Sequence, residues 1–125
     1  MKILCLKENL IDGINIVQKA VSSKTTLPIL EGILLEAGNE FKLTGNDLEI
    51  GIECYVDAKI EQQGKIVLNS RIFGDIVRRL PDSEITIELI QNDVVKIECE
   101  NSHFEIKGLK GEGFPALPEI EKENS

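Results

Sequence analysis

Several stretches of this chain alternate apolar and polar residues with a period of two. Leu48, Ile50, Ile52, Cys54 and Val56 are interleaved with Glu49, Glu53, Tyr55 and Asp57. Ile85, Ile87 and Leu89 alternate with Thr86 and Glu88, and Val95, Ile97 and Cys99 with Lys96 and Glu98. Phe104 and Ile106 alternate with Glu105 and Lys107. Successive side chains of a strand point to opposite faces, so the pattern predicts half-buried strands with one wet face. Short polar segments at 37–40 (AGNE), 91–93 (QND) and 100–102 (ENS) separate apolar runs. That spacing reads as antiparallel meanders.

Two segments follow a helical period instead. From Glu8 to Val21, Leu10, Ile11, Ile14, Val17 and Val21 form an apolar stripe, with Glu8, Asp12, Asn15 and Lys19 opposite. From Ser70 to Leu80 the stripe is Ile72, Phe73, Ile76, Val77 and Leu80. Each predicts an amphipathic helix. Ser70 is the expected N-cap of the second, and Pro81 its stop.

The two helices sit in matching contexts. Each follows a strand opening with Lys-Ile (Lys2-Ile3, Lys65-Ile66) and precedes about three strands. At an offset of 63 residues Leu10 meets Phe73, Asp12 meets Asp75, Ile14 meets Val77 and Val17 meets Leu80. A β-α-β-β-β pseudo-repeat is the expected organisation. The fold class is α+β, with two helices packed side by side on antiparallel sheet and about eight strands. From Gly108 the chain turns Gly- and Pro-rich (KGEGFPALP) and then polar (EIEKENS), which reads as a linker.

Charge sharpens this picture. The chain of 125 residues is acidic, with a formal net charge of −8, yet its three arginines (Arg71, Arg78, Arg79) lie within nine positions on the second predicted helix. With Asp75 between them the segment 70–81 carries +2, so the rest of the chain carries −10. At 100° per residue the three fall within about a 100° arc of the polar face. The overall charge argues against a protein that grips nucleic acid or an anionic membrane by its whole field. A local role needs another explanation. Every other side chain counted as positive is a lysine, and arginine differs in its planar, multi-donor fit to phosphate. The plainer alternative is a solvated helix face. Helix-dipole complementarity covers Arg78 and Arg79 but not Arg71 at the opposite end.

Catalytic and metal chemistry find little support. His103, the one histidine, has no nucleophile motif beside it. Cys5, Cys54 and Cys99 lie singly among strand-like residues, read as reduced thiols of a cytoplasmic protein. Asp47 and Glu49 could approach a cation, but turn chemistry explains the Asn46-Asp47 pair after Gly45. No cofactor is expected; Gly108, Gly111 and Gly113 have the wrong spacing for a dinucleotide loop. No signal-peptide apolar region or membrane-length run is read from the sequence. The strand from His103 to Ile106, last in its meander, is expected at a sheet edge, where an unpaired strand invites another chain. The plainer reading of the pattern is that Phe104 and Ile106 simply face the core.

Four motifs taken together resemble a known family. They are Lys24-Thr25-Thr26-Leu27-Pro28-Ile29-Leu30, Leu43-Thr44-Gly45-Asn46-Asp47-Leu48-Glu49, Ser70-Arg71 through Leu80-Pro81, and Phe114-Pro115. In this order and spacing they resemble the first of three domains of the bacterial replicative sliding clamp, the β subunit of DNA polymerase III. The resemblance implies a clamp domain over 1–118 and the start of an interdomain linker over 119–125. It implies part of a homodimeric, non-catalytic ring that encircles duplex DNA and tethers the replicative polymerase, sliding without sequence specificity. Lys24, Arg71, Arg78 and Arg79 would then face DNA, and His103, Phe104 and Ile106 would lie at the junction with a second subunit. The pocket for polymerase and clamp loader would belong to later domains. The first helix departs from the expectation, because Glu8, Asp12, Asn15 and Lys19 sum to −1. Two other classes compete: a stand-alone β-rich interaction domain using its edge strand, with no DNA role, and a small hydrolase built on His103.

Overall fold

The computed structural model describes residues 1–21 and 27–115. Strand β1 (Lys2–Leu6) runs directly into helix α1 (Lys7–Val17), which tightens into a 3-10 turn at Gln18–Ala20. A second 3-10 turn at Pro28–Glu31 leads into β2 (Gly32–Ala37), β3 (Phe41–Asn46), β4 (Gly51–Val56) and β5 (Lys59–Gln62). The series then repeats: β6 (Gly64–Asn69), α2 (Ser70–Arg79), β7 (Glu84–Leu89), β8 (Val94–Cys99), β9 (Ser102–Lys107) and β10 (Leu109–Lys110). The architecture is α+β, as expected. Ten strands form where about eight were expected among the described residues; β5 and β10 are the additions.

The strands make two antiparallel sheets of five, ordered β5-β1-β7-β8-β9 and β10-β6-β2-β3-β4. Exchanging the two halves of the chain turns one order into the other. The pseudo-repeat is therefore a property of the whole domain, and the two extra strands are each other's counterparts. Each half sends its first strand into the other half's sheet: β1 pairs β7, and β6 pairs β2. Neither half can complete a sheet alone, which ties the two into one folding unit.

One continuous core joins both sheets and both helices. The positions matched at offset 63 occupy it in parallel: Leu10 and Phe73, Ile14 and Val77, and Val17 and Leu80 are all buried. Asp12 and Asp75 are both exposed. Burying such side chains is worth about 1.5–3 kcal/mol each, so this shared stripe, rather than helix propensity, holds α1 and α2 in place. The outer sheet faces carry ion pairs: Lys42 reaches across to Glu36 and Glu53, and Lys96 reaches across to Glu88 and along its own strand to Glu98. These settle the wet faces; exposed pairs contribute little to stability.

Local departures from the sequence expectation have identifiable causes. The alternation from Leu48 to Val56 overran its strand, because β4 starts only at Gly51. Asp47 Oδ1 accepts from the backbone N–H groups of Ile50 (2.7 Å) and Glu49 (2.9 Å), and Asn46 Oδ1 from that of Leu48 (2.7 Å). These bonds close a turn in which Leu48 takes φ 78° and stays exposed. Ile50 and then Glu49 also hold the Asp47 carboxyl below its usual range. Gly45 has a different reason to be glycine: a Cβ there would stand 2.3 Å from the Val17 carbonyl oxygen at the end of α1. Of the cysteines, Cys5 and Cys99 are buried and Cys54 half-buried, and all are free. Burial, followed by the charge of Glu84, pushes the Cys5 thiol up to about 12.

Candidate nucleic-acid interface

Helix α2 is set by its ends. Asn69, one residue before the expected cap, accepts the Ile72 backbone N–H on its Oδ1 at 3.0 Å. Ser70 is instead the first helical residue, and it is buried. Its hydroxyl and its carbonyl both accept from Gln18 Nε2 at 3.1 Å. At the other end Leu80 is extended, the conformation favoured before Pro81. Lys7 Nζ, at the start of α1, donates to the carbonyls of Arg78 (3.0 Å) and Leu80 (2.6 Å). It thereby caps the negative end of α2. The start of each helix thus meets the end of the other, so the pair lies side by side and antiparallel.

The exposed face of α2 presents Arg71, Ile72, Asp75, Arg78 and Arg79. Ile72, expected in the apolar stripe, is 48% exposed. It lies at the margin of the stripe, and the core beneath is closed by Phe73, Val77 and Leu80. The arginines share one surface but not one state. Arg78 Nη2 donates to Asn15 Oδ1 at 2.9 Å and to Gln18 Oε1 at 3.1 Å, while its Nη1 lies 3.8 Å from Asp75. Arg71 and Arg79 have no ion pair or side-chain hydrogen bond among the described residues. Along α1 and the 3-10 turn that extends it, the exposed polar positions are Glu8, Asp12, Asn15 and Lys19, as read from the sequence. Together the two helix faces carry +1, in a chain of −8. Lys24 and the segment 119–125 lie outside the described residues.

The groove between the end of α1 and the start of α2 is lined by Gln18, Val21, Glu31, Ser70, Arg71 and Arg78, among others. Among the described residues no histidine or cysteine lines it, and the Ser70 hydroxyl oxygen accepts from Gln18. No group of three His, Cys, Asp or Glu side chains among the described residues could hold a metal. No helix among them is long and apolar enough to cross a membrane.

The second predicted site falls on β9, which is indeed a sheet edge. Its three named residues separate by depth. His103 is exposed, Phe104 is partly buried against the core, and Ile106 is buried in it at 8% exposure. The core-facing alternative therefore describes Ile106. His103 Nδ1 lies 3.1 Å from Glu98 Oε2 on β8, and its Nε2 lies 3.3 Å from Glu105 Oε2. Hydrogen bonding to Glu98, then to Glu105, raises the imidazole pKa above its ordinary value. A raised folded pKa means that the contribution of this clasp is full below the ordinary imidazole value and is lost as pH rises through the raised one. An NMR titration of His103 is expected to show that upward displacement, reduced by Glu98→Gln. An unchanged titration in Glu98→Gln would contradict the geometry.

Nothing in the local sequence pattern marks Lys7, Gln18 and Asn15 as a set linking the helices. Their partners lie 52 to 73 residues away. Only the offset of 63 that aligns Asn15 with Arg78 hints at their meeting.

Comparison with known proteins bears on the whole chain. Residues 1–118 match the family model for the DNA polymerase III β subunit, N-terminal domain. The beta sliding clamp of Synechocystis is 38% identical over 130 residues, covering 97% of this chain and 33% of that protein. The beta sliding clamp of Bacillus subtilis is 36% identical over 134 residues, covering 100% and 35%. A crystal structure of a DNA polymerase III β subunit from Eubacterium rectale superposes with a TM-score of 0.92 at 48% identity, covering 94% of this chain and 33% of that one. The sliding clamp structure from Bacillus subtilis gives 0.91 at 36%, covering 95% and 34%. The chain spans about a third of the length of these relatives.

Proposed function

This chain belongs to the family of DNA polymerase III β subunits, matching its N-terminal domain, and from that premise we propose that it is the first domain of a ring-shaped processivity factor. The ring encircles duplex DNA and tethers the replicative polymerase, sliding without sequence specificity and catalysing no reaction. One observation carries the reading: the two helices lie side by side, and every arginine of an acidic chain stands on the exposed face of one of them. A tether that slides cannot hold phosphates tightly, yet its inner wall must not repel them. A weakly positive helix face on a negative body meets both demands. Lys24, Arg71, Arg78 and Arg79 stand on the DNA-facing surface in this proposal, and that surface meets the backbone loosely and without base readout.

The edge strands supply the joints. β9 pairs with a second subunit in this reading, with His103 and Phe104 at the contact and Ile106 supporting the strand from the core. Its pseudo-twofold counterpart β4 is the edge of the other sheet. The Asn46 amide donates to the carbonyl of Pro115 at 3.3 Å and brings the later chain beside the turn before β4. A domain with two equivalent edges can join a neighbour at each, as a ring requires. We assign 1–118 to the first of three domains and 119–125 to the start of a linker. Polymerase and clamp loader engage the later domains, in the cytoplasm. The alternative of a stand-alone interaction domain does not account for relatives that are sliding clamps along the whole of this chain.

The test uses the full-length protein, loaded on covalently closed and on linear duplex DNA. Retention on the circle with loss from the linear form is expected, because the hold is topological. Equal loss from both would overturn the reading.

A further inference from the structure

We propose that Arg78 is a positioning residue: with Asn15 and Gln18 it sets the spacing of α1 and α2, leaving Arg71 and Arg79 as the guanidiniums that meet phosphate. The inference rests on the clamp reading and divides its basic face into two kinds of arginine.

Both hydrogens of Arg78 Nη2 are used, one on Asn15 Oδ1 and one on Gln18 Oε1. Gln18 in turn spends its amide nitrogen on Ser70. Its orientation follows, since the reversed amide would set NH₂ against the guanidinium. The result is a chain of bonds from the C-terminal part of α2, across the end of α1, to the first residue of α2. Asn15 and Arg78 are the same position in the two repeats, so their bond crosses the pseudo-twofold axis. A contact there controls the separation of the halves directly.

The seat for this side chain is built into the backbone. A Cβ at residue 74 would stand 2.7 Å from Arg78 Nη1 and 3.0 Å from Gln18 Nε2, so glycine there leaves the space that the guanidinium occupies. A lysine ammonium lacks the planar fork that serves two fixed acceptors at once. A phosphate approaching Arg78 would also meet the Asp75 carboxylate beside Nη1. Arg71 and Arg79, by contrast, have no carboxylate partner among the described residues.

The experiment measures binding of this chain to a short duplex over a salt series starting at about 20 mM, together with thermal unfolding, for four variants. Arg71→Gln and Arg79→Gln are each expected to reduce the slope of log K against log salt by about one, with Tm unchanged. Arg78→Gln and Arg78→Lys are each expected to leave the slope as in the parent and to lower Tm by roughly 5 °C, lysine failing to rescue. A slope reduced by about one in Arg78→Gln, or a parental Tm in either Arg78 variant, would overturn the proposal. If the parent shows no binding at the lowest salt, the DNA contact of this face fails, and with it the assignment of Arg71 and Arg79. The Tm measurements then still decide whether Arg78 holds the helices.

Discussion

Phe73→Ala is expected to destabilise the domain by about 3–5 kcal/mol, the usual cost of truncating a fully buried aromatic side chain. Phe73 has no exposed surface, and it joins α2 to the core shared by both sheets. Domains of this size are stable by only about 5–15 kcal/mol, so the variant would lose a large part of the total. Its counterpart Leu10, equally buried on α1, should cost about 2–5 kcal/mol on the same change. Urea unfolding should show both as a lower midpoint at an unchanged m-value. A loss under about 1 kcal/mol for Phe73→Ala would mean that α2 is not anchored as described.

Gly45→Ala should cost about 3 kcal/mol, at the upper end for overpacking by one methyl group. The atom in the way is the carbonyl oxygen of Val17, 2.3 Å from the added carbon. Backbone cannot rotate aside as a side chain can, so the end of α1 must lift from β3. Gln18 follows Val17, and its bonds to Arg78 and Ser70 would be disturbed in the same movement. Gly38→Ala is the control, because a Cβ there meets nothing within 4 Å. It should change stability by less than about 0.5 kcal/mol. Equal effects at the two glycines would show that close approach is not the reason for Gly45.

These two residues mark the range of what the sequence made legible. Phe73 was readable from periodicity, because a buried helix stripe repeats in the local sequence. The requirement at Gly45 was not, because the atom that excludes a side chain belongs to a residue 28 positions earlier. The helix start illustrates an intermediate case. Ser70 and Asn69 are both good caps, and the choice fell to Asn69 because Gln18 holds Ser70 from the neighbouring helix. The alternation of Leu48 and Ile50 resembled a strand, but the Asn46 and Asp47 side chains close a turn there. Short β5 and β10 carry too few residues to declare a period, and they form by pairing with β1 and β6.

The candidate site divides in the same way. Arginine clustering, its common helix face and the edge position of the last meander strand all follow from local order and composition. The sequence alone therefore determined the helices, the meanders, the pseudo-repeat and the one basic surface of an acidic chain, since each is written in near-neighbour periodicity. Only the tertiary structure decided that the halves exchange their first strands, that Ile106 sits in the core and His103 outside it, and that Arg78 is tied while Arg71 and Arg79 are not. Those outcomes depend on contacts between residues tens of positions apart, and one-dimensional pattern carries no record of which distant surfaces meet.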